Sequence, residues 1–305
     1  MAGISTKANI GSGYLQTYLY KKVLENFEPN LYFYKMGEKP AVPGGYGTVQ
    51  WAKPSQLTVT AASAALTEGV TPTSTSFTYA AITASPTQYG IYVEVSDRLL
   101  KVDPTNILGN AAKELGNNMA RIIDKVIQTE IMAGTTVLYA STATNRAGVS
   151  STMTLTAAKI RDAATKLASA DAPEIGMGFV AVAHPFAVGD LKAESATGSW
   201  IDSHKYASPG EIFKGEIGSI YGVRIVQSSN VSTFSSTTTV YPTLVMGAGA
   251  YGISDFSALE TVYTGPGGNS DPLKQRSTVG AKVDFACRIL QQNALVRLES
   301  AATSL

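Results

Sequence analysis

The stretch "QYGIYVEVSDRLLKVDPTNILGNAAKELGNNMARIIDKVIQTEIMAG", which runs from Gln88 to Gly134, contains the two patterns that decide the fold class. Its beginning alternates apolar and polar side chains, as a half-buried strand does. From Leu108 to Ile131 apolar residues recur every three or four positions, which indicates an amphipathic helix. Asp103 is a favourable N-cap and a proline suits the first helical position, so we predict one long helix over residues 104–133.

A long, almost uncharged region precedes this stretch. From Pro54 to Val93 its only charged residue is Glu68, and it is rich in Ser, Thr and Ala. With GTVQWAK (47–53) as its first strand, it is typical of a two-stranded ribbon with an irregular tip. Such a ribbon is marginal in water by itself, and this one lacks the charges that protect exposed edges. We therefore expect another surface to cover it, and the neighbouring sequence offers no element that could.

The remaining periodic segments mix helix and strand. An N-terminal helix is predicted from Leu15, Leu19, Val23 and Phe27, which recur every four residues ahead of Pro29. Later helices are predicted at Thr156–Ala170 and His184–Glu194, and later strands at 176–183, 221–229, 241–247, 249–255, 277–290 and 293–300. The fold class is therefore α+β.

Composition narrows the classes of function. The net charge is +1, so no broad field attracts nucleic acid or an anionic membrane. Charged residues make up 15% and hydrophobic residues 44% of the chain, against about 25% charged residues in ordinary soluble proteins. This shortage of charge indicates a surface that is hidden against other subunits. The single cysteine, Cys287, cannot form an internal disulfide, and no signal peptide or membrane span is apparent, so we expect a cytosolic origin.

Three glycines raise the possibility of a cofactor site. Gly247, Gly249 and Gly252 form a G-x-G-x-x-G motif directly after an apolar run, which is the spacing of a dinucleotide-binding turn. That turn needs a following helix to receive the pyrophosphate. Here the chain continues as ISDFSALETVYTGPGG, which has an extended pattern and a Pro/Gly cluster. We interpret the motif as strand–turn–strand and keep a nucleotide-binding enzyme with its site at 247–252 as an alternative.

No other pattern specifies chemistry, and we predict no catalytic, cofactor-binding or metal-binding residues and no cofactor. The chain has two histidines, His184 and His204, which give no zinc spacing. Asp202 and Ser203 adjoin His204, but no G-x-S-x-G elbow supports a catalytic triad. A mildly basic zone has the character of ordinary helix-surface charge and comprises Arg146, Lys159, Arg161 and Lys166.

Several longer phrases resemble one family. They are SDRLLKVDP (96–104), GEIGSIYGVRIVQSSNV (215–231), GAYGISDF (249–256) and DPLKQRSTVGAKVDFACRILQQNALVRLES (271–300). Together with the order of the segments, they resemble a podophage-type family of major capsid proteins of tailed bacteriophages, which have the Hong Kong 97-like fold. The resemblance extends from about Tyr46 to Glu299 and is most specific in the second half.

The resemblance implies a division of the chain. An N-terminal arm with a short helix would occupy 1–45 and an extended hairpin, the E-loop, 46–98. A peripheral domain would comprise 99–154 and 264–305, with the spine helix at 104–133. An axial α/β domain would occupy 155–263.

The resemblance also implies a structural, non-enzymatic function. The chain would self-assemble into hexamers and pentamers of an icosahedral shell that encloses phage double-stranded DNA. Its partners would be further copies of itself, portal, scaffolding and decoration proteins, and the packaged DNA through non-specific contact, with no membrane partner. It would assemble in the bacterial host cytoplasm and reside in the virion capsid. An encapsulin-like compartment shell is the other alternative.

Overall fold

The computed structural model describes residues 12–27, 31–39, 47–54, 64–71, 74–102, 106–194, 218–267 and 271–303. Most of its helices lie in the first two thirds of the chain, and strands make up the last third. The helices are α1 (Ser12–Phe27), α2 (Asp97–Val102), α3 (Ile107–Met132), α4 (Ala157–Ser169) and α5 (Pro185–Ala193). The strands are β1 (Val49–Pro54), β2 (Tyr79–Ala84), β3 (Thr87–Ser96), β4 (Val137–Tyr139), β5 (Phe179–Ala183), β6 (Ser219–Ile220), β7 (Val223–Gln227), β8 (Phe234–Ser235), β9 (Thr239–Met246), β10 (Tyr251–Thr264), β11 (Arg276–Ile289) and β12 (Leu295–Ser300).

The long helix α3 packs against a three-stranded antiparallel sheet with the order β10-β11-β3. Its apolar stripe is buried with residues of β10 and β11 in one core cluster. On its other side α3 contacts α1, and Gly116 makes this contact possible. A Cβ atom at Gly116 would lie 2.5 Å from the carbonyl oxygen of Val23, so only glycine allows the two helix backbones to approach so closely.

The beginning of α3 differs from the prediction. The helix starts at Ile107, and its N-cap is Asn106, whose side chain accepts a hydrogen bond from the Gly109 backbone N–H. Asn106 has φ of 54°, which is outside the helical region, so a helix that starts at Pro104 is wrong. Asp103 and Pro104 themselves lie outside the described residues. Asparagine tolerates the left-handed conformation better than most residues, and this explains its place here.

The second half forms a mixed sheet with the order β4-β12-β9-β5-β7-β6, and β8 pairs with β9. One face packs on α4 and α5, and the opposite face contributes to the core around α3. The predicted helices at 156–170 and 184–194 are confirmed as α4 and α5, and the predicted later strands are confirmed within about three residues except at 249–255, where the observed strand β10 continues to Thr264. The mixed α+β class is therefore confirmed.

Candidate subunit interface

Strands β1 and β2 form a two-stranded antiparallel ribbon in which Val49 lies opposite Ala84 and Pro54 opposite Tyr79. The predicted strand at 88–97 is observed as β3, and it pairs along its length with β11. The paired strands of the ribbon are therefore β1 and β2, and β3, which the predicted hairpin at 46–98 included, belongs to the three-stranded sheet. This arrangement leaves the ribbon as a separate two-stranded element.

The root of the ribbon is anchored by one small apolar cluster. Val49 and Trp51 of β1 are buried against Ala286 and Leu290, which belong to β11 and the segment after it. Lys53 adds polar contacts, because its Nζ lies 3.1 Å from Oε2 of Glu38 and 3.4 Å from the carbonyl oxygen of Gly249. The described root is therefore fixed to the body of the chain by apolar packing inside and an ion pair outside.

The outer part of the ribbon is exposed at the residues that the structure describes. Phe77 and Tyr79 pack edge to face with ring centroids 5.0 Å apart, yet they remain 50% and 65% exposed. Leu66 and Val70, which lie midway in the sequence between β1 and β2, are 76% and 62% exposed. Large apolar side chains that are so exposed on adjacent positions mark an interaction surface. Among the described residues, no element covers these four side chains.

The G-x-G-x-x-G motif lies beside the ribbon root and joins two strands. It connects β9 to β10, and β10 pairs antiparallel with β11, so no helix follows the turn. A Cβ atom at Gly247 would lie 2.5 Å from the carbonyl oxygen of Pro173, and Gly249 has φ of +66°. The glycines therefore serve close packing and a left-handed turn. The strand–turn–strand interpretation is confirmed, and the nucleotide-binding alternative loses the helix that it requires.

A segment that we call the strap, Leu31–Lys39, connects α1 to the ribbon root. Its Tyr32 and Tyr34 backbone N–H groups donate to the carboxylate of Asp124 on α3, at 2.7 and 3.4 Å. Asp124 is buried, and this burial raises its pKa to about 6 despite the hydrogen bonds that favour the charged form. The strap is therefore held on α3 by a carboxylate whose charge is costly.

Two further contacts hold the strap on β10. The Tyr34 hydroxyl donates to Oδ2 of Asp255 at 2.5 Å, and the Tyr251 hydroxyl donates to the carbonyl oxygen of Phe33. Burial raises the pKa of both tyrosines, with the Asp255 carboxylate adding to the effect at Tyr34. Glu38, at the end of the strap, exchanges backbone hydrogen bonds with β10 and pairs with Lys53. The strap thus links the spine-like helix α3 to the ribbon.

A second polar cluster holds the far edge of the large sheet. The fully buried carboxylate of Glu299 accepts hydrogen bonds from Nε and Nη2 of Arg146 at 2.8 and 2.6 Å. The Arg146 guanidinium also lies 3.6 Å from the ring centroid of Phe234, and the hydrogen bonds that it donates to Glu299 raise the pKa of Arg146. Arg146 is therefore a structural cation and not part of a basic binding zone.

The other residues that the sequence singled out have structural explanations or lie outside the described residues. The ring nitrogen Nδ1 of His184 accepts a hydrogen bond from the Phe186 backbone N–H and caps α5, and burial lowers its pKa. Arg161 pairs with Asp162 at 3.4 Å. Asp202, Ser203 and His204 fall outside the described ranges. Burial raises the pKa of the Cys287 thiol to about 12.

Two general properties complete the description. Among the residues that the structure describes, no three His, Cys, Asp or Glu side chains come together as metal ligands would. Within the same ranges, no helix has the length and apolar character that a membrane span requires.

Sequence reasoning missed the contacts that fix the ribbon. It did not single out Trp51, Glu38 or Asp124. Asp124 had a recognisable signal, because it lies on the buried face of α3 beside Ile123 and Ile127, where a charge is unexpected. Trp51 and Glu38 had no such signal in the sequence, because their partners lie far away along the chain.

Solved structures that share this fold are phage capsids. The capsid of the cyanophage P-SCSP1u has a TM-score of 0.68 and 15% identity, over 90% of this chain and 89% of that chain. The capsid of Ralstonia phage GP4 has a TM-score of 0.67 and 16% identity, over 88% and 87%. The acidic stable capsid of Helicobacter pylori bacteriophage KHP30 has a TM-score of 0.65 and 13% identity, over 88% and 91%. The fold is therefore that of phage capsid proteins, a class with a structural role.

The family is also shown by sequence. The family model described as phage capsid protein matches residues 78–297, which is well over half of the chain. This chain belongs to that family, and its place is in the virion capsid. No curated protein matches it in sequence.

Proposed function

We propose that this chain is the shell-forming subunit of a phage capsid and that it assembles into hexamers and pentamers of an icosahedral shell around double-stranded DNA. The observation that supports the proposal best is the uncovered ribbon. It is anchored at its root, exposed at Leu66, Val70, Phe77 and Tyr79, and nearly free of charge. A second copy of the chain would supply the cover that it lacks.

We assign the family's segments as follows. The ribbon Val49–Ala84 is the E-loop. Helix α3 with β3, β10 and β11 forms the peripheral domain, and the large mixed sheet with α4 and α5 forms the axial domain. Each of these assignments rests on the pairing of the strands and on the two separate core clusters around α3 and around α4 and α5.

The proposal extends to partners and place. A shell of this kind is assembled in the host cytoplasm with scaffolding and portal proteins, and decoration proteins bind its outside. A net charge of +1 suits a wall that meets packaged DNA through non-specific contacts, because tight binding would require many cations that neutralise phosphates.

A ribbon deletion tests the proposal. Residues 55–78 are replaced by a short Gly-Asn-Gly-Ser loop, which joins Pro54 to its register partner Tyr79 and leaves β1 and β2 intact. The purified wild-type chain should form closed particles in negative-stain micrographs. The deletion variant should keep its near-ultraviolet circular dichroism and melt cooperatively, yet sediment as small species.

A pair of matched variants isolates the apolar surface. Phe77→Ser with Tyr79→Ser removes the exposed aromatic area, whereas Phe77→Tyr with Tyr79→Phe retains it. The first pair should abolish particles and the second should preserve them. If the wild-type chain stays monomeric under all assembly conditions, or if the deletion variant still forms closed shells, the proposed function of the ribbon is wrong.

A further inference from the structure

A cavity of about 670 Å³ opens at the root of the ribbon, where the strap, β7, the glycine turn and the segment before β5 meet. Its lining includes three cations, Lys35, Lys53 and Arg224, and four apolar side chains, Met36, Pro173, Ile175 and Ala248. We call this the root cavity. Cavities of this size with a few convergent polar groups are typical of binding sites.

The root cavity has an excess of positive charge. Its carboxylate, Glu38, already pairs with Lys53 at 3.1 Å. Lys35 and Arg224 are exposed, and within the described residues neither has a carboxylate within ion-pair distance. An acidic group that entered the cavity would therefore meet the Arg224 guanidinium and the Lys35 ammonium, whose charge also acts on the buried Asp124 carboxylate.

The ribbon carries the complementary group at its tip, Leu66–Val70. Here the chain turns, with the Val70 backbone N–H donating to the carbonyl oxygen of Thr67 at 3.1 Å and Gly69 at φ of +78°. Glu68 in this turn is the sole charged residue between Pro54 and Val93. It is flanked by the exposed Leu66 and Val70, so the tip presents one carboxylate between two apolar side chains.

We propose that the tip of one copy binds in the root cavity of a second copy. Glu68 then faces Lys35 and Arg224, and the apolar side chains of the tip contact Met36 and Ile175. This inference rests on the proposed function, because it names the surface that receives the ribbon.

The arrangement has a geometric consequence that supports it. Tip and root are different surfaces of one chain, and the tip is exposed in its own copy, so each copy both donates a tip and accepts one. Contacts of this head-to-tail kind generate closed rings when the rotation between neighbours closes. The direction in which copies follow one another around the ring would be set by the contact of one carboxylate, Glu68, with two cations, Lys35 and Arg224.

Charge reversal tests the contact. Glu68→Arg and Arg224→Glu should each reduce the yield of assembled particles at least tenfold at low salt, while circular dichroism and melting temperature stay unchanged. The double variant should restore assembly to within about threefold of wild type. Lys166→Glu, an equal charge change at an exposed position on α4, should assemble normally.

Disulfide trapping tests the same contact without electrostatics. Val70→Cys combined with Met36→Cys should give covalent ladders of copies in oxidised particles. Val70→Cys combined with Lys166→Cys should give none. Cys287 can remain, because burial raises its pKa to about 12 and suppresses its thiolate.

The outcomes separate this inference from the proposed function. If the wild-type chain forms particles, the Val70→Cys, Met36→Cys variant gives no ladder and the single charge reversals assemble normally, the tip-in-root contact is overturned and the shell function stays in place. A wild-type chain that never assembles overturns both. If Arg224→Glu weakens binding of a fluorescent DNA duplex while assembly is unchanged, the cavity binds phosphate groups and the contact is also overturned.

Discussion

The indole ring of Trp51 occupies the space that a side chain at Gly252 would need. A Cβ atom at Gly252 would lie 2.6 Å from Cε2 and 2.7 Å from Nε1 of Trp51. Trp51 is the largest side chain of the apolar cluster at the ribbon root, and Gly252 belongs to the motif that resembles a dinucleotide turn. Gly252, the last glycine of that motif, therefore has to be a glycine because Trp51 fills the space beside it.

We predict that Gly252→Ala displaces Trp51 and destabilises the fold by about 1–3 kcal/mol, as overpacking of a core does. In a Trp200→Phe background, Trp51 is the remaining tryptophan, and its emission should shift to the red. Gly265→Ala is the matched control, because its Cβ would meet only the Tyr263 side chain at 3.9 Å. Equal denaturation midpoints and emission maxima for the two variants would contradict the packing described here.

Asp124 predicts a pH dependence of stability. Its pKa rises from 3.8 to about 6 in the folded chain, so between these values the folded chain binds this proton more tightly than the unfolded chain. The free energy of unfolding should therefore fall by up to about 3 kcal/mol as the pH rises through this window, and level off above it.

The measurement for Asp124 is a series of urea midpoints between about pH 4 and pH 7.5. Asp124→Asn should remove this part of the dependence of the unfolding free energy on pH, which we call the pH slope. It also weakens the hydrogen bonds to the strap. Asp171→Asn, at an exposed position with φ of 50° that asparagine accepts, should retain the slope. Identical slopes for wild type and Asp124→Asn would show that the buried carboxylate does not titrate in this range.

Removing the charge of the buried Glu299 carboxylate should lower the free energy of unfolding substantially. Glu299→Gln keeps the shape of the side chain but leaves the guanidinium groups of Arg146 and Arg297 without their shared carboxylate. We expect a loss of about 3 kcal/mol or more, as for other buried ion pairs that lose one partner.

The matched control for Glu299 is Asp162→Asn. Asp162 pairs with Arg161 and Lys159 at 3.4 and 3.9 Å on an exposed surface, where such pairs contribute about 0–1 kcal/mol. Chemical denaturation of both variants supplies the comparison. Should they cost the same, the cluster at Glu299 would have no special role in stability.

The half-buried thiol of Cys287 should react slowly. Its pKa of about 12 arises mainly from burial, with the charge of Glu130 adding to it, so almost no thiolate exists at pH 8. Ellman's reagent should label no thiol in the folded wild-type chain and one thiol in guanidinium chloride. Thr303→Cys places a thiol at an exposed position and should react at once. Rapid labelling of the folded wild type would mean that this part of the sheet opens readily.

Local periodicity predicted much of the fold. The helix predicted at 156–170 is observed at Ala157–Ser169, because its apolar spacing is a property of residues close together in sequence. The glycine turn was interpreted correctly for the same reason, since the absence of a helical pattern after it is visible in the sequence. The start of α3 was wrong because Asp103 and Asn106 are both good N-caps, and side-chain chemistry cannot choose between them.

The contacts of the ribbon could not be predicted in the same way. The lack of charge indicated that the ribbon needs a cover, and its exposed apolar residues agree with that. Its anchoring contacts, however, join distant residues: Lys53 and Gly249 lie 196 positions apart. No pattern in one sequence specifies such a partner. Asp124 could have been noticed as a charge on an apolar face, but not its role in holding the strap.

The place of β12 in the large sheet has a consequence for synthesis on the ribosome. This strand follows every other strand in the chain, yet it lies between β4 and β9 and forms ladders with both. Until residues 295–300 leave the exit tunnel, the sheet has a gap in its interior and β4 has no neighbour. A polypeptide that terminates before residue 295 therefore cannot join β4 to β9 or complete this sheet.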